Sequence, residues 1–453
     1  MSKHMKQIDI AVIGGGAAGL AAATAAYDSG VSNVVVFDRE EAPGGILKQC
    51  IHNGFGLHRF KEELTGPEYA AREFAALTQR GIAYVPEATV FQMESVSEGT
   101  RLSVLSPING FEQVLAHAVV LAMGSRERTR GALRIPGTRP AGIYTAGAAQ
   151  HLINLQGIMP GKEVVMLGSG DIGLIVARRL AYEGAHVKAV FNRSHISSGL
   201  RRNIVQCLDD YGIPLKLLHT VTSIYGSRRL EAVGVSEVDK ATKRAIPGTE
   251  QIIPCDTLLL AVGLIPENDL ARQAGVTLDP KSHGALVDER YQTSLPGVFS
   301  CGNVLHIHDL VDFVSEEGEA AGRAAAAYLG APSSDAPAAP AADTTEVLPG
   351  AGVSYVVPQR LSAQPNGKIP LRFRVRDVYR DLTICVSADG REVKRFRRAV
   401  AVPAEMQTVR LDGALLAGAR TVEVSVNAQH EPAVQHDAPS KQPASCAKDQ
   451  EVR

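Results

Sequence analysis

An α/β fold, with two parallel sheets wound by helices and a separate all-β unit toward the C-terminal end, is predicted by three features of this 453-residue chain. Residues 8–38 and 163–193 each read as strand, glycine turn, helix, strand. A Pro-, Ala- and Ser-rich stretch at 331–350 then interrupts every apolar period. Beyond it, residues 351–430 divide into short segments with the alternation of half-buried strands.

In the first unit, Ile8, Ile10, Val12 and Ile13 form a buried-strand run. Gly14, Gly16 and Gly19 follow as GxGxxG, with Ala18 inside the turn. The first glycine permits a tight turn, the second lets backbone approach a pyrophosphate, and the third lets helix and strand pack closely. The helix N-terminus adds free N–H groups and a partial positive charge. The strand VVVF ends on Asp38, placed to take a ribose hydroxyl. Glycines of this kind are often only a structural turn; strand, helix and terminal acid together point to a bound dinucleotide.

The second unit repeats the pattern. The strand EVVML leads into Gly168, Gly170 and Gly173, with Asp171 and Ile172 opening a helix to about Tyr182. Where an acid would hold a 2′-hydroxyl, the chain has Phe191-Asn192-Arg193. Arg193, with Arg201 and Arg202, either meets a 2′-phosphate or forms a solvated basic loop. Two such units imply two dinucleotides: a held flavin and an exchanging nicotinamide, NAD or NADP.

Composition excludes several other classes. The net charge of −1 gives no general attraction to nucleic acid or to an anionic membrane. No run approaches the ~20 apolar residues of a bilayer span. Lys3 and Lys6 before an Ala-rich stretch imitate a signal peptide, but the glycine turn interrupts the run. The six cysteines, Cys50, Cys207, Cys255, Cys301, Cys385 and Cys446, form no CxxC and no zinc spacing. Reduced thiols in the cytoplasm are expected, and no metal.

With these motifs in place, the chain resembles the two-dinucleotide-binding-domain flavoproteins, the pyridine nucleotide–disulfide oxidoreductase superfamily, from residue 8 to about 330. Gly44-Gly45 is similar to that family's paired glycines near FAD. VVLAMGS (119–125) resembles its first strand-end motif, with Ala122 and Gly124 in place and Met123 for Thr. LLLAVGLIPEND (258–269) resembles the second, through Gly263. TSLPGVFSCGNV (293–304) is similar to the late FAD motif, with Gly302-Asn303 where Gly-Asp is usual. The order implies an FAD-binding domain at 1–125 and 266–330 and an inserted NAD(P)-binding domain at 126–265, both Rossmann-like.

The stretches 44–70, 125–150 and 300–322 are similar to one bacterial subgroup of FAD/NAD(P)-dependent oxidoreductases. These are often encoded beside a glycerol-3-phosphate-dehydrogenase-like flavoprotein and a small cysteine-rich protein. The resemblance implies an electron-transferring subunit with a second flavoprotein as partner. Asn192 departs from the Glu expected there, which leaves NAD and NADP both open.

By the same resemblance, the loop GGILKQCIHNGFG (44–56) runs near the flavin ring, where relatives hold a redox disulfide. Here it has Cys50 alone, so dithiol chemistry is not carried over; a Cys50–Cys301 bridge needs Cα atoms within about 7 Å. Cys50 is either a flavin-tuning thiolate whose pKa His52 lowers, or a small buried apolar residue. In HIHD (306–309), His308 either exchanges a proton with the flavin or is an ordinary hydrogen-bonded histidine. The segment 310–330 reads as a helix whose N-terminus, in relatives, faces the flavin. Val311, Val314, Ala321 and Ala325 are packing positions, and Glu316, Glu317 and Glu319 a solvated face.

The stretch 331–350 reads as a linker, 351–430 as a small β-sandwich, and 431–453 as a disordered polar tail. In 351–430, thirteen Lys/Arg stand against seven Asp/Glu. The dense part, REVKRFRR (391–398), is either a docking face for an acidic partner or a solvated strand face. No aromatic interleaving suggests nucleic acid. The expected function is hydride transfer between NAD(P)H and FAD within a multi-flavin complex. The alternatives are a stand-alone NAD(P)H oxidase or quinone reductase, and a non-enzymatic FAD-binding subunit. An oligomer is compatible with all three.

Overall fold

The computed structural model describes residues 5–330 and 344–428. Cys446 and the tail expected at 431–453 lie outside the described residues, as does most of the stretch read as a linker.

The first sheet is built on β1 (Lys6–Ile13). Ile8, Ile10 and Val12 on this strand are fully buried. Each contributes roughly 2 kcal/mol by leaving water. A glycine turn leads into α1 (Ala17–Asp28), and β2 (Val34–Phe37) returns parallel to β1. The helix α2 (Gly66–Gln79) starts at Thr65 with a reciprocal capping box to Glu68. On the other side of β1 lies β3 (Gly110–Leu121), also parallel to it. Two further strands, Thr89–Val96 and Gly99–Ser106, extend this side antiparallel.

The chain then leaves the first sheet through Ser125–Glu127 and reaches α3 (Ala146–Gln156). A second sheet is centred on β4 (Glu163–Leu167), followed by α4 (Asp171–Tyr182), β5 (His186–Asn192) and α5 (Arg201–Cys207). The strand β6 (Thr257–Leu260) pairs parallel with the other flank of β4. A small antiparallel sheet from residues 219–254 packs beside it. The return strand Leu264–Pro266 pairs antiparallel with Ser125–Glu127, so the two crossings run side by side. The chain re-enters the first sheet as β7 (Val298–Ser300), parallel to β3.

From there α6 (Val311–Gly330) crosses over α1. The two helices nearly touch at Gly318 and Gly322, where a Cβ would strike the Ala18 and Ala22 backbone. Ala321 and Ala325 are fully buried in this seam. Among the described residues, no helix is long and apolar enough to cross a membrane.

After residue 344 the chain forms a five-stranded and a three-stranded sheet. These enclose a core that includes Val353, Leu371, Phe373, Ile384 and Val424. The three-stranded sheet contains β8 (Lys368–Val375), and the five-stranded sheet ends on β9 (Arg391–Ala401). Two differences from the sequence reading appear here. Thr345–Pro349, read as the end of the linker, is a strand paired with residues 421–424. The alternation in LRFRVRD is real, but its basic face is not all wet. Arg372 is buried against the first unit, because acids from that unit meet it there.

Candidate functional site

The first glycine turn is shaped by contacts on three sides. Gly14 has φ +107°, and a Cβ there would meet the Ala122 backbone. Ala122 in turn donates its N–H to the Ile13 carbonyl (2.9 Å). Gly45 approaches the Gly16 Cα, and the Gly44 N–H donates to the Gly15 carbonyl (2.8 Å). Gly302 sits against Ala18. Thus Gly14, Gly16, Ala18, Gly19, Gly45, Ala122 and Gly302, far apart in sequence, meet around one turn. Gly124 instead belongs to the crossing, where its carbonyl accepts the Glu267 N–H (3.0 Å).

The same turn fits an anionic dinucleotide. Among the described residues, a Cβ at Gly16 would meet nothing within 4 Å, so open space faces the backbone. No side chain caps α1, and its first turn carries no acid, which leaves the helix N–H groups free for phosphate. Asp38, which is 5% exposed, accepts the Gly15 N–H (2.8 Å) and Tyr84 O–H (3.2 Å) on Oδ2 and the Glu40 N–H (3.0 Å) on Oδ1. One of these bonds braces the turn and three of about four acceptor sites are filled, so the carboxylate has room for one more donor. Burial, with Asp38 beside it, raises the Tyr84 pKa, so its hydroxyl stays a donor.

The second turn is more crowded. Gly168 has φ +105° and packs on Ala261. The Gly170 Cβ position lies 3.6 Å from Ser198 Oγ, an ordinary van der Waals distance. Asp171 Oδ1 accepts the Leu200 N–H (2.8 Å) and an Asn203 amide N–H (2.6 Å), so this carboxylate is turned toward α5. Gly173 packs on Ala261, Ile172 is 37% exposed, and Gly263 accepts the Arg128 N–H (3.0 Å). Asn192 donates to the Ile196 carbonyl (2.7 Å) and so closes its own loop. Arg193 is exposed. Arg201 and Arg202 line a cavity of about 390 Å³ with Leu57, His58, Val311 and Asp312.

Cys50 is half-buried, and its thiol donates to the Ile46 carbonyl (3.3 Å). Burial pushes its pKa up to about 12, which favours the protonated thiol over the thiolate. His52 does not activate it. Its Nδ1 meets the Asn53 carbonyl (3.0 Å), and burial lowers its own pKa. Both Cys50 and Cys301 are free thiols, and burial raises Cys301 well above the usual range.

A buried polar cluster lies where the sequence showed only a solvated face. Glu317 is fully buried on α6. Its Oε1 accepts the Gly302 N–H (2.7 Å) and meets His308 Nε2 (3.2 Å), while Oε2 meets His306 Nε2 (2.9 Å). Arg372 Nη1 from β8 lies 3.6 Å from Oε2 and donates to Tyr291 Oη (2.6 Å). Asn303 Oδ1 accepts the His308 N–H (3.0 Å), which closes the loop. Burial would raise the Glu317 pKa, but the two histidine rings outweigh it and hold it well below the carboxylate range. Burial drives His306 down to about 4, so its ring is neutral and donates through Nε2–H. Its Nδ1 has no hydrogen-bond partner among the described residues. Ligand atoms of His306, His308 and Glu317 lie within 4.8 Å of one another. A cation there would displace both ring hydrogen bonds and sit beside a guanidinium, so the arrangement is a hydrogen-bonded charge cluster.

Sequence reasoning missed Glu317, Arg372 and Asp312. The Asp312 carboxylate accepts the Gly56 N–H (3.1 Å) and His58 N–H (2.7 Å), tying the Cys50 loop to α6. The alternating arginines of β8 were the one available signal for Arg372.

Comparison with known proteins agrees with this architecture. The family model described as pyridine nucleotide-disulphide oxidoreductase matches residues 8–327. An opine oxidase subunit of Agrobacterium tumefaciens (strain Ach5) is 28% identical over 65% of this chain and 61% of its own length. The chain therefore spans about three fifths of that relative. The glutamate synthase [NADPH] small chain of Halomonas elongata is 26% identical over 71% of this chain and 68% of its own. The crystal structure of T. acidophilum thioredoxin reductase superposes with TM-score 0.57 at 22% identity, covering 71% of this chain and 98% of that one, and so shares the fold. The chain belongs to the pyridine nucleotide-disulphide oxidoreductase family, whose members bind FAD and take NAD or NADP as substrate.

Proposed function

We propose that this chain is an FAD-dependent NAD(P)H oxidoreductase and works as the electron-transfer subunit of a larger dehydrogenase complex. The observation that carries the reading is the pair of strand–turn–helix cradles, at 14–19 and 168–173, with open space facing Gly16 and ordinary clearance at Gly170. When bound, the flavin supplies the two-electron chemistry that accepts hydride from a nicotinamide.

The residues of the chain supply placement. Asp38 fixes the first turn, and the α1 N-terminus offers its amides to the pyrophosphate. Gly302 and Asn303 hold the loop beside Ala18. Asn192 and Arg193 stand where the second nucleotide's ribose is selected, and with no acid there the reading leaves NAD and NADP equal. With Cys50 protonated and unpaired, electrons leave without a protein dithiol. One relative is a component of an opine oxidase and another is the small chain of a glutamate synthase, which supports a complex. The edge strand β9, with Lys394, Arg395, Arg397 and Arg398 exposed, is the surface on which an acidic partner flavoprotein would dock.

An anaerobic titration of the FAD-loaded protein with NADH and with NADPH tests this. Bleaching of the flavin within seconds by one of them supports it; no bleaching by either ends it.

A further inference from the structure

We propose that Glu317 and Arg372 form a buried charge pair that positions the Gly302–His308 loop and sets the charge beside the flavin. This makes the C-terminal β unit part of the redox site and rests on the reading that FAD lies at the first glycine turn.

Three observations converge. The Glu317 carboxylate holds the loop at both ends, through the Gly302 N–H (2.7 Å) and the rings of His306 (2.9 Å) and His308 (3.2 Å). Gly302 lies against Ala18 in the first turn of α1, so the loop borders the cradle. Arg372, 3% exposed, reaches Glu317 Oε2 at 3.6 Å from the other unit and is fixed by Tyr291 Oη. Further out, Glu316 pairs with Arg410 (2.8 Å), and Arg374 pairs with Asp309 at the loop's end. Both histidine rings face the carboxylate, and Glu317 and Arg372 bring one buried negative and one buried positive side chain together.

A buried charge acts through low dielectric and is weakly screened. Removing Glu317 leaves Arg372 with only the part-exposed Glu316 carboxylate (3.5 Å) as counter-charge, so the site becomes more positive, which favours the reduced, more negative form of the flavin. Removing Arg372 leaves an uncompensated anion, which disfavours it. Glu317 and Arg372 are positioning residues in this scheme, since neither is shown to touch a reacting atom.

The test measures the flavin midpoint potential by dye-equilibrated reduction of the full-length, FAD-loaded protein. Glu317→Gln is expected to raise the potential and Arg372→Met to lower it, with the double variant returning toward wild type. Shifts of the two single variants in the same direction, or none in either, overturn the proposal. Should Arg372→Met not fold, Glu317→Gln against the double variant carries the same test: the double must lie below the single. Wild-type protein that stays colourless after soaking with FAD would instead sink the underlying cofactor reading.

Discussion

The Asp38 carboxylate, at the end of β2, accepts the N–H of Gly15 at 2.8 Å, so the acid of the first nucleotide unit is also the brace of its glycine turn. Asp38→Ala leaves a buried N–H without a partner, at a cost of about 1–3 kcal/mol. We expect this variant to bind FAD roughly 5- to 150-fold more weakly, at tenfold for each ~1.4 kcal/mol, and to purify with less flavin than wild type. Asp38→Asn keeps an acceptor for Gly15 and should preserve the fold. Flavin-to-protein absorbance ratios check both; full flavin in Asp38→Ala would show that the brace is dispensable.

Neighbouring glycines of the same turn should separate folding from binding. A methyl at Gly14 meets the Ala122 backbone at a positive φ, so Gly14→Ala is expected to cost about 3 kcal/mol or more. A methyl at Gly16 meets nothing within 4 Å among the described residues, where φ is −81° and ψ −173°. Gly16→Ala should therefore unfold within about 0.5 kcal/mol of wild-type apoprotein. It should nevertheless bind FAD at least about tenfold more weakly, because the space it fills is the ligand's. By the same logic, Gly170→Ala should keep its flavin and raise the apparent KM for the nicotinamide. Denaturant unfolding, flavin titration and steady-state kinetics read the three; equal flavin affinity in Gly16→Ala would remove the cradle from the binding site.

How much of this was legible in the sequence follows a physical line. Ile8, Val12 and Gly14 announce themselves because strand burial and glycine turns are local properties of a short stretch. The helix at 311–330 was readable for the same reason. Glu317 was not, because on a helix wheel it is one acid among Glu316, Glu317 and Glu319. Only tertiary packing against His306, His308 and Arg372 distinguishes it, and Arg372 lies 55 positions away in another unit. Asp171 and Asn192 lie on α4 and at the end of β5 as read, yet the Asp171 carboxylate holds the start of α5 and the Asn192 amide closes its own loop. Motif spacing does not report what a side chain bonds to when neighbouring loops offer it donors.

Cys50 should be silent as a redox group. Burial holds its pKa at about 12, so at neutral pH almost all of it is the protonated thiol. Cys50→Ser is expected to leave the rate of flavin reduction by NAD(P)H within about twofold of wild type, as for a residue that only fills space. Native protein should also resist alkylation at this position. Stopped-flow reduction and mass spectrometry after iodoacetamide treatment check the two statements. A large loss of rate in the variant would return Cys50 to the mechanism.

The buried cluster should make stability fall on the acid side. His306 sits near pH 4 in the folded protein against an ordinary value of 6.5. Between those values the unfolded chain binds a proton that the native state refuses, so acidification favours unfolding. The contribution of neutral His306 is complete above pH 6.5 and is lost as pH falls toward 4, a difference of about 3 kcal/mol. Glu317, held as a carboxylate well below its usual range, adds a loss of the same sign at still lower pH. The groups facing His306 are Glu317, His308, Arg372 and, edge-on at 6.2 Å, Tyr355. His306→Gln keeps an N–H for Glu317 but cannot titrate. Urea unfolding at pH 7, 5.5 and 4.5 should therefore show a shallower decline in the variant than in wild type. Parallel declines would mean that His306 is protonated in the folded protein, contrary to its burial.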